Sequence, residues 1–530
     1  MSLSADSDSN AADNSGGGAG EAPSRAGAQQ TAAGKNGHVV VIGGGLAGIS
    51  AALTLARDLD CEVTLYEAKE MLGGNVASRP IGRSAGRNTL PVYYDVYPHM
   101  YQPWYHNFWA LMAEAGVIEP VDGGFEPKEA FSPFHVFCQL RPGEYGKYTE
   151  LEYAYSARHL TQNLLSGVAS PGDLLVFGYA GMDLIAERLN PTVRLRHMSL
   201  SGFLNARAYM THEALLAYET FITRIWAIPS YMASAEDCRT YLTYCLPTGE
   251  EESWLTTGPA ATSYLDALEA TLRDAGVDVI PKRRVKKIVC DENGISAIEV
   301  QPTKFEGGVW VDDEKAPADP VKPWDYVVLA VPATTLNELA RTGDEGQRIV
   351  DYEPALATLS LLGSAAVPIL HLCLRERLET PNGPVGLFGS KLNLAFTDVS
   401  KAWEARNPLF RGHTVLAVSC SAPATLVGPS HADGYAIIKE LAEYVEFRPG
   451  EGWGDSHDVI WDVNGLVHSA EEKAADAAEA DREEVARAVA DLTASPAGDA
   501  AVEGEDWPPR ITLETPITQY HDNRDAQLSL

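Results

Sequence analysis

The stretch from His38 to Glu67 constrains the fold more than any other part of this 530-residue chain. His38–Ile42 is a β-branched run, Gly43–Gly45 a turn, and Leu46–Arg57 carries Ile49, Leu53 and Ala56 at helical spacing. Cys61–Tyr66 reads as a second strand. This order predicts a compact β-α-β unit with parallel strands and a right-handed crossover. Gly43, Gly45 and Gly48 stand at G-x-G-x-x-G spacing, and each has its own steric reason. Gly43 makes the tight turn, Gly45 lets a pyrophosphate approach the backbone, and Gly48 lets the helix pack closely on the strand. The phosphates would sit on the bare N–H groups at the helix start, beside Leu46 and Ala47. Glu67, at the end of the second strand, can accept from both hydroxyls of an adenosine ribose and repels a 2'-phosphate. The pattern therefore points to FAD or NAD and away from NADP.

Composition sets the outer limits. Hydrophobic residues make up 45% and charged residues 22%, enough apolar material for a sizeable core. Lys and Arg total 41 against 73 Asp and Glu, a net charge of -32 that repels phosphate backbones and anionic surfaces. No nucleic-acid partner is expected, while peripheral membrane contact through a local apolar patch stays open. The seven cysteines are odd in number and far apart, with no Cys-x-x-Cys and no His cluster at ligand spacing. Neither a disulfide scaffold nor a metal site is expected. Residues 1–36 are rich in Ser, Gly, Ala and Asp and lack the basic start and apolar run of a signal peptide, so they read as a disordered tail. The two longest apolar stretches are His38–Ala56, broken by four glycines, and Leu359–Leu374, broken by Gly363 and Pro368. The second reads as one or two buried strands. Neither predicts a membrane span, which makes a cytoplasmic location the default.

Farther along, Leu265, Leu268 and Leu272 mark a helix that stops at Gly276. Strands are predicted at Val277–Ile280, Lys286–Cys290, Ile295–Val300 and Tyr326–Val331, the last closed by Pro332. Between these regions Gly116–Pro259 is irregular, aromatic and partly helical, and Leu359–Val427 is strand-rich. Ser469–Leu492 reads as one solvated helix with Val485, Val489 and Leu492 on a narrow apolar stripe. The expected division places residues 37–115 and 262–345 in a discontinuous dinucleotide-binding domain, and 116–261 and 346–530 in a second, substrate domain.

Glu67 to Asn75, with its glycine pair Gly73-Gly74, resembles the second part of the extended dinucleotide motif of glutathione-reductase-like flavoproteins. More narrowly, it is similar to the flavin amine oxidase and phytoene desaturase superfamily, and closer to the desaturase branch. The resemblance implies FAD, with Gly73 and Gly74 lying against it and Asn75 where the family usually has Arg. It also implies that Val285 packs near the adenine. Tyr326–Pro332 resembles the family's "DxVVxAxP" strand, and Asp95–His99 its "D-x-G-x-H" segment with Tyr97 in place of glycine. Tyr93, Tyr94, Tyr97, Tyr101, Trp104, Tyr105, Phe108 and Trp109 crowd this segment. Such aromatics make a flat apolar wall for an isoalloxazine ring or a long unsaturated substrate, and equally make ordinary cores. Tyr97, His99 and Tyr101 are the candidates for the pocket, His99 as an acid or base or as a structural histidine. Leu392–Lys401 is similar to a desaturase segment ending in an aspartate and a serine. No lysine lies between Pro332 and Leu374, where amine oxidases commonly place one near the flavin. The family's closing flavin-contacting element is not found by Gln519–Leu530, so truncation, a partner chain completing the FAD site and impaired FAD binding are all open.

The expected fold class is α/β, a glutathione-reductase-like FAD-binding Rossmann domain with an inserted mixed-sheet and helical substrate domain. The expected function is an FAD-dependent oxidoreductase that desaturates a small, predominantly apolar, isoprenoid- or polyene-like substrate by hydride transfer to flavin. A flavin amine or amino-acid oxidase, a flavoprotein isomerase and a non-catalytic flavin-binding subunit remain as alternatives.

Overall fold

The computed structural model describes residues 36–81, 92–95, 97–121, 124–126, 129–134, 136–152, 157–186, 195–245, 253–306, 309–361, 367–422, 431–461, 463–475 and 477–493. The predicted tail, apart from Asn36, and the segment Gln519–Leu530 lie outside these residues.

The β-α-β unit forms where the glycine pattern places it. Strand β1 (His38–Ile42) is buried along its whole length, helix α1 covers Leu46–Arg57, and β2 spans Glu62–Tyr66. β1 and β2 run parallel in register from His38↔Glu62 to Ile42↔Tyr66. After a long excursion the chain returns to add β3 (Asp278–Ile280) beside β2 and then β4 (Tyr326–Leu329) beside β1. The sheet order is β3-β2-β1-β4, all parallel.

Parallel sheets need cover on both faces. Val39, Val41, Val63 and Leu65 pack with Ile49 and Leu53 of α1 and with Leu268 and Leu272 of the Asp266–Asp274 helix. Val40, Ile42 and Tyr66 on the other face pack with Val285, Ile288 and Val300. These come from an antiparallel three-stranded sheet, Arg283–Asp291, Gly294–Glu306 and Val309–Asp312.

A second body is built on a six-stranded mixed sheet in the order Ile369–Leu374, Thr414–Cys420, Leu394–Asp398, Pro384–Leu387, Val136–Leu140 and Thr149–Glu152. Only the Pro384–Leu387 and Val136–Leu140 pair is parallel. The His212–Trp226 helix packs on this sheet, and the Pro171–Ala186 helix packs in turn on it and on Ala235–Cys245. This is the mixed-sheet and helical body expected beside the Rossmann-like domain.

Two segments depart from expectation. Leu359–Leu361 belongs to an exposed 3-10 helix, Pro354–Leu361, and the strand begins only at Ile369. Ser469–Leu492 is not one helix: Val463–Ala475 and Glu479–Thr493 are separate. Leu466, Ala470 and Ala474 on the first and Val485 on the second share one core with Trp403 and Phe410, a joint burial that a single straight helix with one stripe does not provide. Among the described residues no helix is long and apolar enough to cross a membrane, and no group of three or more His, Cys, Asp or Glu is placed to hold a metal ion.

The tightest crossing is that of α1 over its own turn. A Cβ on Gly48 would stand 1.9 Å from the Gly43 carbonyl oxygen, which is backbone and cannot rotate away. Gly48→Ala is expected to destabilise the domain by about 3 kcal/mol or more. A Cβ on Gly45 would meet nothing nearer than the Gly74 Cα at 3.8 Å, so Gly45→Ala should leave the unfolding midpoint within about 1 kcal/mol of the parent. Urea unfolding of the two variants side by side checks this.

Candidate functional site

The Gly43 N–H donates to the Tyr66 carbonyl at 2.9 Å, which closes the loop over the C-terminal ends of β1 and β2. α1 then starts at Gly45 with no side-chain cap and no acidic residue in its first turn. A helix start without these partners presents N–H groups and positive potential to an anion. Gly73 is positioned against this loop, its N–H donating to the Gly44 carbonyl at 2.8 Å. Gly73 and Gly74 have φ of +116° and +59°, and a Cβ on Gly74 would sit 3.0 Å from the Gly45 Cα. Two glycine turns thus face each other with no side chain between them. Asn75 is exposed on the short turn that follows.

Glu67 closes one end of this cradle. It is buried, and its Oε2 accepts from the Gly44 N–H at 2.8 Å while Oε1 accepts from the Lys69 N–H at 2.9 Å. Its backbone N–H donates to Ile280 on β3 and its carbonyl accepts from Arg283, so β2, β3 and the Arg283–Asp291 strand meet at this residue. Val285, two positions beyond Arg283, is buried against Val40, Ile42 and Tyr66. Glu70, by contrast, is exposed and pairs with Lys282 at 2.7 Å. Amides at a helix start, a wall without side chains and a fixed carboxylate can together hold the diphosphate and ribose of a dinucleotide.

Sequence reasoning missed the clamp next to this cradle. Asp95, first residue of the D-x-Y-x-H segment, is buried and accepts from the Ser78 hydroxyl and from the Ala260 N–H at 2.9 Å. The Ser78 Oγ in turn accepts from the Ala261 N–H at 2.8 Å. These two side chains therefore cap the π-helical turn Ala261–Leu265, whose Leu265 covers Gly73. Burial raises the Asp95 carboxyl to about 7, against the opposing bonds from Ser78 and Ala260. The only sequence signal was Pro259 ahead of the helix.

The aromatic segment divides between two hydrophobic cores. Tyr101 is buried, stacked on Phe108 at 4.6 Å and edge-on to Phe131, with its hydroxyl 2.8 Å from that of Tyr264. That is core packing. Tyr97 lies instead in the second body, against the cluster that contains Tyr218, Ile222 and Ile369. Burial raises its pKa, while a hydrogen bond with Ser419 and the charge of Arg224 oppose the rise. Arg224 is itself a fully buried residue of the His212–Trp226 helix, also unforeseen. His99 follows, its pKa pulled down to about 4 by burial against a backbone bond at Tyr97, and its Nδ1 is buried with no hydrogen bond. In Leu392–Lys401, the buried Asp398 accepts from the Thr380 hydroxyl and from both the N–H and the hydroxyl of Ser400. It ends the strand and starts the Ser400–Trp403 helix.

A family model described as an NAD(P)-binding Rossmann-like domain matches residues 41–115. No curated protein matches the chain. Among solved structures, an oxidoreductase from Methanosarcina mazei is similar at 15% identity with a TM-score of 0.50, over 80% of this chain and 86% of its own. A putrescine oxidase bound to putrescine is similar at 15% identity and a TM-score of 0.51, over 83% and 90%. The chain thus has a Rossmann-like domain within an overall fold like that of these two solved structures. Nothing in the comparisons singles out the phytoene desaturase branch.

Glu67→Ala should weaken dinucleotide retention by about 1.5 to 3 kcal/mol, roughly ten-fold or more in Kd, whereas Glu70→Ala should not. Titration of the two apoproteins with FAD checks the difference, and equal affinities would show the strand register to be misassigned. Asp95 titrates from 3.8 when unfolded to about 7 when folded, so its contribution to stability is present below about pH 4 and lost as pH rises through 7. Between pH 5 and pH 8 the parent should lose on the order of 2 kcal/mol that Asp95→Asn does not lose, as read by urea unfolding at both pH values.

Proposed function

We propose that this chain is an FAD-dependent oxidoreductase that desaturates a predominantly apolar, isoprenoid- or polyene-like substrate. The observation that carries the FAD reading is the paired-glycine cradle, Gly45 against Gly73 and Gly74, closed by the buried carboxylate of Glu67. In this reading the amides around Gly43, Gly45, Leu46, Ala47 and Gly48 hold the diphosphate, and Glu67 takes the ribose hydroxyls. Gly73, Gly74 and Asn75 line the approach to the flavin half, and Val285 packs by the adenine. Flavin, when bound, supplies the hydride acceptor that a desaturation requires.

The chain's own groups then position the substrate and handle protons. Tyr97 stays protonated at neutral pH because burial raises its pKa, and its bond with Ser419 fixes the ring as an apolar wall. His99 stays uncharged, because its pKa is about 4, and its Nδ1 is available to accept a proton at a site that burial keeps dry. Arg224 places a positive charge near Tyr97 and so disfavours a protonated amine there.

An amine or amino-acid oxidase is the second reading. The overall charge of -32 would draw cationic amines toward the protein, and the fold is shared with a putrescine oxidase. The visible spectrum of the purified chain, with the released cofactor identified by chromatography, tests the FAD assignment. Peroxide formed with amines would favour the oxidase, and product formed without net oxidation would indicate an isomerase.

Tyr97→Phe and His99→Gln preserve volume. If both groups serve the reaction, His99→Gln should lower turnover about 100-fold and Tyr97→Phe less, with melting temperatures nearly unchanged. Flavin content, melting temperature and turnover measured on the same preparations decide it. A drop in stability with unchanged activity per bound flavin would make both residues structural.

A further inference from the structure

We propose that Ser78 and Asp95 are positioning residues for the dinucleotide, acting on the glycine pair Gly73-Gly74 through Leu265. This role rests on the FAD reading of the cradle. Both glycines have positive φ, and on the side of the phosphate loop the pair is tied by the bond from the Gly73 N–H to the Gly44 carbonyl at 2.8 Å. One bond leaves a glycine turn with many open conformers. A second restraint comes from farther along the chain. Ser78 opens the strand Ser78–Ile81, which pairs antiparallel with Val92–Asp95, and the register sets Ser78 opposite Asp95.

Together these two side chains hold the start of another element. The Asp95 Oδ1 accepts from the Ser78 hydroxyl and from the Ala260 N–H at 2.9 Å, and the Ser78 Oγ accepts from the Ala261 N–H at 2.8 Å. A helix start is ordinarily capped by its own first residue. Here that residue is Ala260, which has no side-chain cap, and the cap comes from a strand 165 residues away. A local cap would tie the turn to itself, whereas this one ties it to the segment that leaves the cradle. The turn Ala261–Leu265 then leads back: a Cβ on Gly73 would stand 2.7 Å from the Leu265 Cδ1 and 3.1 Å from the Ala77 Cα. Gly73, Ser78, Ala261 and Leu265 thus form a closed ring of chain, hydrogen bond, turn and packing contact. Asp95, Ser78 and Leu265 are all buried, so water does not replace a link that is removed.

Titration of the full chain, freed of flavin, with FAD tests the role, with melting temperatures taken on the same preparations. Ser78→Ala and Asp95→Ala should each raise the Kd about ten-fold. Asp95→Asn, whose amide oxygen still accepts from both donors, should stay within about three-fold of the parent. Leu265→Ala should also raise the Kd, and adding Ser78→Ala to it should change the Kd less than about two-fold, because the ring is already open. Ile437→Ala, in the core of the second body, lowers stability without touching the ring and should bind FAD like the parent. Additive effects of Ser78→Ala and Leu265→Ala, an Asp95→Asn as weak as Asp95→Ala, or an Ile437→Ala as weak as Ser78→Ala would overturn the proposal while FAD binding by the parent stands. A parent that binds no FAD would remove the FAD reading, and this role with it.

Discussion

Two side chains that are not there hold the dinucleotide domain in shape. At Gly48 the helix passes so close to the Gly43 carbonyl that no Cβ fits, and at Gly43 a Cβ would stand 2.3 Å from the Ala330 carbonyl just beyond β4. The first contact pins the start of α1 above the ends of β1 and β2. The second brings β4 into the same corner, where the Ala330 N–H donates to the Ile42 carbonyl. With three elements meeting over backbone alone, the helix start has a fixed direction, and both Gly73 and Glu67 find their partners on the loop that precedes it.

A different problem is that of burying polar groups. Asp95 is paired with a hydroxyl and a helix amide, and Asp398 with hydroxyls and an amide. Such bonds offset the desolvation of the carboxylates only when geometry is complete, which makes these residues anchors of strand and helix ends and not free acids. His99 stands apart because its Nδ1 has no such bond. A buried acceptor left open is costly for folding alone, and it fits the role proposed for it at the substrate side.

What was legible in the sequence was local. The β-α-β unit, the glycine roles and the placement of Glu67 follow from neighbours within about thirty residues, where period and sterics act directly. The six-stranded sheet was not legible, because it joins Val136–Glu152 to Ile369–Cys420 across a helical insertion that no periodicity reports. The break between Val463–Ala475 and Glu479–Thr493 has no glycine or proline to announce it, and only the core shared with Trp403 and Phe410 requires it. Aromatic density marked the segment from Tyr93 to Trp109 but could not tell Tyr97 from Tyr101, since the difference lies in distant partners, Ser419 for one and Tyr264 for the other. Arg224 escaped notice because an arginine in an amphipathic helix is normally solvated.

The π-helical turn at Ala261–Leu265 carries one residue more than an α-helix would, and its last two side chains are both buried. Tyr264 reaches the Tyr101 hydroxyl, and Leu265 closes over Gly73. Aromatic core and glycine cradle are therefore mechanically geared to each other through a single peptide link. Any shift of this turn would move both side chains at once, so the two regions share a common register.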